Sequence, residues 1–250
     1  MITTVWSYGG GTQSAAIAVL VLTGQLPKPD YVVMADTSRE VTETWNYLRD
    51  VVQPELTRFG CPVEVIPHSY STVDIATDDG TVLIPAFTTQ NGKVGKLPTY
   101  CSSKWKQYPV RRWLREQGVE KCDLWLGISL DEVERMKPSD VQWQNNVYPL
   151  IEIVPCSRHK CVSLVEGYGW PTPPKSRCWM CPNMSPRSWR QLQKEYPADF
   201  AKAVDLEIEL QVADPHIYLH PAGQLLPVAV ENSKAQGELF DGCDSGFCFT

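Results

Sequence analysis

Apolar positions along the chain fall in short runs broken by turn residues, and the runs alternate between strand and helix character. Thr4-Val5-Trp6-Ser7 leading into Tyr8-Gly9-Gly10-Gly11 reads as a short buried strand that ends in a glycine turn. Ala15 to Leu22 then continues at once as an apolar helix. After the Pro27-Lys28-Pro29 break, Asp30 to Asp36 gives a second strand, and Thr37-Ser38-Arg39-Glu40 turns into a helix through Val41, Trp45 and Leu48. A third strand is expected at 63–66, a fourth at 124–129, and a fifth strand or edge segment at 147–151. Ser185-Pro186 and Tyr196-Pro197 each set a proline at a helix start, predicting helices through Trp189 and Leu192 and through Phe200, Val204 and Leu206. His216 to His220 is a weak strand whose two histidines read as structural.

Strands alternating with helices predict an α/β protein, a doubly wound parallel sheet of Rossmann-like type. The expected division is a nucleotide-binding α/β domain over 1–155 and a cysteine-rich helical module over 156–250 with a mobile C-terminal tail. Within the first, residues 69–98 are rich in Thr, Asp and Gly and read as an insertion or lid.

Composition narrows the class. The 250 residues are 43% hydrophobic and 21% charged, as in a soluble globular protein with a sizeable core. The net charge of −6 means that any nucleic-acid contact has to come from a local basic patch. The longest apolar run, Ala15 to Leu22, is too short to span a bilayer, and a strand beginning almost at Met1 leaves no room for a signal peptide. Nine cysteines, an odd number, do not suit a secreted disulfide framework. A cytoplasmic protein with metal or redox chemistry is the expectation.

The glycine turn is the first candidate site. Gly9-Gly10-Gly11 lets a ligand approach the backbone closely, and Ser7, Thr12 and Ser14 set hydroxyls beside the unpaired N–H groups of a helix start, a place for phosphate. An ordinary tight turn would carry the same letters, and neither the Walker pattern nor the dinucleotide fingerprint is present. At the carboxyl end of the second strand, Ala35-Asp36 stands where an open α/β sheet receives its ligand, unless Asp36 only caps the next helix. Gly127 ends the fourth strand in the same way, with Asp131 and Glu132 as local acids for Mg²⁺ or the helix start, and Arg135 further on.

Between Lys93 and Arg115 lie Lys93, Lys96, Lys104, Lys106, Arg111, Arg112 and Arg115, with no acid among them and with Tyr100, Trp105, Tyr108 and Trp113 interleaved. Such a stretch suits nucleic acid or polyphosphate, with Lys104, Lys106, Arg111 and Arg112 as contacts; a helix with a solvated basic face would look the same. Cys178-Trp179-Met180-Cys181-Pro182 is a metal or cluster clip, because thiolates at that spacing converge on one ion. Cys101, Cys156, Cys161, Cys243 and Cys248 are the candidates to complete it.

The loop Gly9-Gly10-Gly11-Thr12-Gln13-Ser14 resembles the Ser-Gly-Gly-x-Asp-Ser pyrophosphatase loop of the adenine nucleotide alpha-hydrolase superfamily. Gly9 stands where that family has its first serine and Gln13 where it has an aspartate. Ala35-Asp36-Thr37 with Glu43-Thr44 resembles the segment that lies along adenosine in sulfate-nucleotide reductases. Tyr100-Cys101 with Lys106 and Pro109, and Gly127 with Glu132 and Arg135, resemble segments of phosphoadenosine phosphosulfate reductases and DNA-phosphorothioation sulfurtransferases.

The resemblance implies a site that binds ATP with Mg²⁺ through Ser7, Gly9, Gly10, Gly11, Thr12, Gln13, Ser14, Ala35, Asp36 and Gly127. Arg135 would lie on the phosphates with Asp131 near the metal, and Cys248 would be a thiol able to swing into the site. It further implies a 4Fe-4S cluster on Cys101, Cys161, Cys178 and Cys181; the alternative is Zn²⁺ on Cys178, Cys181, Cys243 and Cys248. The activity expected is an ATP-dependent, pyrophosphate-releasing sulfurtransferase acting on nucleic acid and supplied with sulfur by a donor such as a cysteine desulfurase. The alternatives are a thiol-dependent adenylyl-sulfate reductase and a non-catalytic, zinc-stabilised nucleotide- or nucleic-acid-binding protein.

Overall fold

Residues 2–67, 75–77, 80–90 and 92–235 are described by the structure, a computed structural model. Cys243 and Cys248 lie outside the described residues. The chain divides into two units, the described residues of 1–72 and 105–176 forming one and those of 73–104 and 177–250 the other.

The first unit is built on a sheet whose central strand is β1 (Thr3–Ser7). β2 (Tyr31–Ala35) and β3 (Val63–Ile66) extend it on one side, β6 (Cys122–Leu126) and β7 (Gln144–Val147) on the other, in the order β3-β2-β1-β6-β7. Every pairing is parallel. The winding therefore reverses at β1, as the predicted doubly wound class requires, and opens a crevice at the carboxyl ends of β1 and β6. Alternate residues serve opposite faces: Trp6, Val32, Val63 and Trp125 join one core, and Val5, Val33, Ile66 and Leu124 the other.

On the first face α1 (Thr12–Leu22) is buried from Ser14 to Val21, which explains an apolar run with no polar stripe. α2 (Thr42–Tyr47) runs through a wide π turn, Leu48–Val52, into α3 (Gln53–Arg58). The opposite face is covered by α4 (Tyr108–Glu116), whose Val110 and Leu114 point into the sheet. The expected fifth strand at 147–151 is displaced. Ladder pairing ends at Val147, and Pro149, lacking an N–H to donate, starts the short helix α5 (Pro149–Glu152).

The boundary expected near 155 falls after Ser176 instead. The reason is α6 (Arg158–Gly167), which packs on α1 and carries Cys161 into the same core as Cys156.

The second unit takes in part of the stretch read as an insertion. β4 (Phe87–Thr88) pairs antiparallel with β5 (Gly95–Lys96) and with β8 (Ile217–Tyr218). The two prolines start helices as expected, in α7 (Pro186–Glu195) and α8 (Pro197–Ala213), and α9 (Leu226–Ala235) follows. Ser185 caps α7 by accepting from the Ser188 amide at 3.1 Å. The buried Glu207 carboxylate of α8 accepts from the amides of Leu219 at 2.8 Å and Leu226 at 2.5 Å, fixing the chain around β8 and the start of α9. No helix among the described residues is long and apolar enough to cross a membrane.

His220, 4% exposed, is the titratable group here whose burial matters most. Its Nδ1 accepts from the Ala222 amide at 3.1 Å, which holds a neutral ring, and desolvation pushes its pKa from 6.5 down to about 4. The unfolded chain takes up this proton first, so the contribution to stability is complete above pH 6.5 and is lost as pH falls toward 4. Urea unfolding at pH 7 and pH 4.5 should show the wild type losing about 2 kcal/mol more than His220→Gln. Equal losses in the two proteins would rule this out.

Candidate functional site

The carboxyl end of β1 delivers the chain into the glycine turn. The Tyr8 amide still bonds the Val33 carbonyl at 2.8 Å, and the Gly9 amide donates to Ser14 Oγ at 2.8 Å, so one predicted hydroxyl shapes the loop. Gly10 has φ of +75°, and a Cβ there would lie 2.4 Å from Thr44 Cγ2. Gly11 is the N-cap of α1 and gives the first turn no side-chain acceptor. A Cβ on Gly11 would stand 3.1 Å from the Ser176 amide nitrogen. Thr44 is fully buried beside Gly10, and its hydroxyl has no hydrogen-bond partner among the described residues. A capless helix start, a loop with no room for side chains and a buried unsatisfied hydroxyl thus meet at the carboxyl end of β1.

Residues 174–176 lie along this loop. Thr12 Oγ1 donates to the Pro174 carbonyl at 3.4 Å, and Ser176 Oγ donates to Glu40 Oε2 at 3.1 Å. Glu40, its side chain 2% exposed, also accepts from Lys106 Nζ at 2.8 Å. The turn that brings Glu40 inward is set by Asp36, whose carboxylate accepts from the Ser38 amide at 2.6 Å while Ser38 takes φ of +53°. Asp36 thus orders the turn. It does not cap α2, whose N-cap is Val41.

Across the crevice, Gly127 follows β6, and a Cβ there would stand 3.4 Å from Gln13 Cβ and 3.5 Å from Ser14 Oγ. Beyond it the chain makes a 3₁₀ turn, Leu130–Arg135, with Glu132 at φ −127° and ψ +24°. Gln13 Nε2 donates to Glu132 Oε2 at 3.1 Å and to Ser129 Oγ at 3.4 Å. Arg135 donates to the other Glu132 oxygen at 2.7 Å.

Asp131, the acid singled out from sequence, is turned elsewhere. Its carboxylate accepts from the Arg158 amide at the start of α6, where it satisfies a helix N–H. Glu132 is the acid aimed at the loop, the one of the two adjacent candidates that the Gly127, Glu132 and Arg135 motif includes. Glu40 and Ser176 were not legible as site residues, because their signal is contact across long sequence separations.

The cysteines divide between the units. Cys161 is fully buried in the first, where Cys156 is its hydrogen-bonded neighbour and desolvation pushes its thiol up to about 12. A cluster or metal ligand has to be a thiolate, so Cys161 would give up that proton on binding one. Cys101, Cys178 and Cys181 belong to the second unit and are half-buried; the Cys181 amide closes a turn on the Cys178 carbonyl at 3.1 Å. Among the described residues no group of three or more His, Cys, Asp or Glu side chains is placed to hold a metal ion.

Of the expected nucleic-acid contacts, Lys106 pairs with buried Glu40 and Arg112 pairs with Glu116 at 3.2 Å. Arg111 forks onto Asp140, holding that carboxyl below its usual range, and donates to Gln144 at 3.1 Å. Lys104 is exposed in the second unit. α4 is thus a basic helix whose charges are largely answered within its own unit.

No family model matches the chain. No curated protein matches it either. Among solved structures, the chain is similar to a U34-tRNA thiolase, NcsA from Methanococcus maripaludis with its [4Fe-4S] cluster. The two are 11% identical, the TM-score is 0.46, and the match covers 94% of this chain and 71% of the thiolase. At that level the likeness carries no argument about chemistry, and the α/β class rests on the strand pairings themselves.

Proposed function

We propose that the first unit binds ATP, with the phosphates on the Gly9–Gly11 loop and the start of α1, and that the protein is an adenylating, pyrophosphate-releasing enzyme of the pyrophosphatase-loop type. The observation that carries the reading is Gly10, held at φ +75° against Thr44 beside a helix start without a side-chain cap. Backbone N–H groups of the loop and the guanidinium of Arg135 would meet the charge on the α-phosphate as pyrophosphate leaves. Thr44 lends a buried hydroxyl to the same pocket.

Sulfur transfer to a nucleic acid is the finer reading, and the half-buried pair Cys178 and Cys181 is what supports it.

The test is equilibrium binding of Mg²⁺-ATP to the full chain, followed by pyrophosphate release with tRNA, DNA or no acceptor, each with a sulfide donor. ATP binding together with acceptor-dependent pyrophosphate release is the expected result; failure to bind ATP overturns the proposal. Iron, zinc and sulfide contents of the same preparations should fall in Cys178→Ser.

A further inference from the structure

Glu132 is buried, 6% exposed, at the edge of the crevice, and both of its carboxylate oxygens are taken. One accepts from Arg135 at 2.7 Å and the other from the Gln13 amide at 3.1 Å. The Arg135 side chain is 17% exposed, so this pair is screened little by solvent. The loop position that faces Glu132 is an amide and not an acid. A carboxylate there would meet Glu132 with like charge at hydrogen-bond distance and would lack the N–H that Gln13 donates. Asp131 cannot share the load, since its carboxylate is committed to the Arg158 amide.

On the ATP-binding reading, which this rests on, we infer that Glu132 is a positioning residue. It holds the Arg135 guanidinium at the glycine loop, and Gln13 is the amide that lets the site carry one carboxylate, not two, next to a triphosphate. The arrangement selects for phosphate charge and is indifferent to the nucleoside.

Titration calorimetry of the full chain with ATP and, separately, adenosine, both with Mg²⁺, tests this. Glu132→Gln and Gln13→Glu should each weaken ATP binding about tenfold, the scale of one charge-assisted hydrogen bond, and leave adenosine unchanged. The exchanged double variant, Gln13→Glu with Glu132→Gln, should recover ATP affinity to within about threefold, because the new amide at position 132 still accepts from Arg135 through its carbonyl and donates to the new carboxylate. A merely structural role would weaken adenosine binding together with ATP binding. An exchanged variant no better than the single ones, or ATP affinity untouched by Glu132→Gln, overturns the inference and leaves the ATP reading standing. A wild-type protein that binds adenosine but not ATP, or neither, overturns both.

Discussion

Gly10→Ala should abolish ATP binding and destabilise the first unit by about 3 kcal/mol, combining a left-handed backbone penalty of about 1–2 kcal/mol with an overpacking cost of similar size. The two parts can be separated. The new Cβ at Gly10 would lie 2.4 Å from Thr44 Cγ2, so Thr44→Ala in the same chain should return the packing part and leave the backbone part. Gly24, which follows α1, serves as the control. Its φ is +71°, but a Cβ there has nothing within 4 Å. Gly24→Ala should cost about 1–2 kcal/mol and leave ATP affinity as it was. Urea unfolding and ATP titration on the four proteins check this. Equal loss of affinity in Gly10→Ala and Gly24→Ala would mean that the loop is an ordinary turn.

The second large effect is at the Glu40 pair. Lys106→Met takes from the Glu40 carboxylate, whose side chain is 2% exposed, the ammonium it pairs with and leaves it the Ser176 hydroxyl. Removing one partner of a buried pair costs about 3–5 kcal/mol, and the lower end applies because the Lys106 side chain is 31% exposed. Glu40→Gln should cost less, about 1 kcal/mol, since the ammonium can turn to water while the amide still accepts from Ser176. Adding Glu40→Gln to Lys106→Met should therefore recover most of the loss, and a double-mutant cycle by urea unfolding measures how much. Lys106→Met costing no more than Glu40→Gln would show that the carboxylate is not dependent on this partner. The same cycle bears on the basic stretch before α4: if Lys106 serves Glu40, replacing it lowers stability before it alters any contact with nucleic acid.

Much of the architecture was legible locally. The short apolar runs at 31–35 and 63–66, the apolar helix after Gly11 and the prolines that start α7 and α8 are set by backbone sterics and side-chain burial within a few residues. The glycine turn was legible for the same reason, as only a residue without a Cβ fits Gly10. Where local signals conflicted the tertiary structure decided, as at Pro149, which starts a helix where an apolar run suggested a strand. The unit boundary was another such case. Cys156 and Cys161 look like members of a cysteine-rich module when counted along the chain, yet α6 packs on α1 and buries them in the first core.

By itself, then, the sequence determined a parallel α/β sheet with a glycine turn after its central strand. Which charges face that loop was decided only by the fold. Glu40 meets Lys106 across 66 positions and Gln13 meets Glu132 across 119. Adjacent acids such as Asp131 and Glu132 are sent to different partners by the φ and ψ of a single turn. Electrostatic partnership depends on distance in space, which strand order and helix packing set and residue spacing does not.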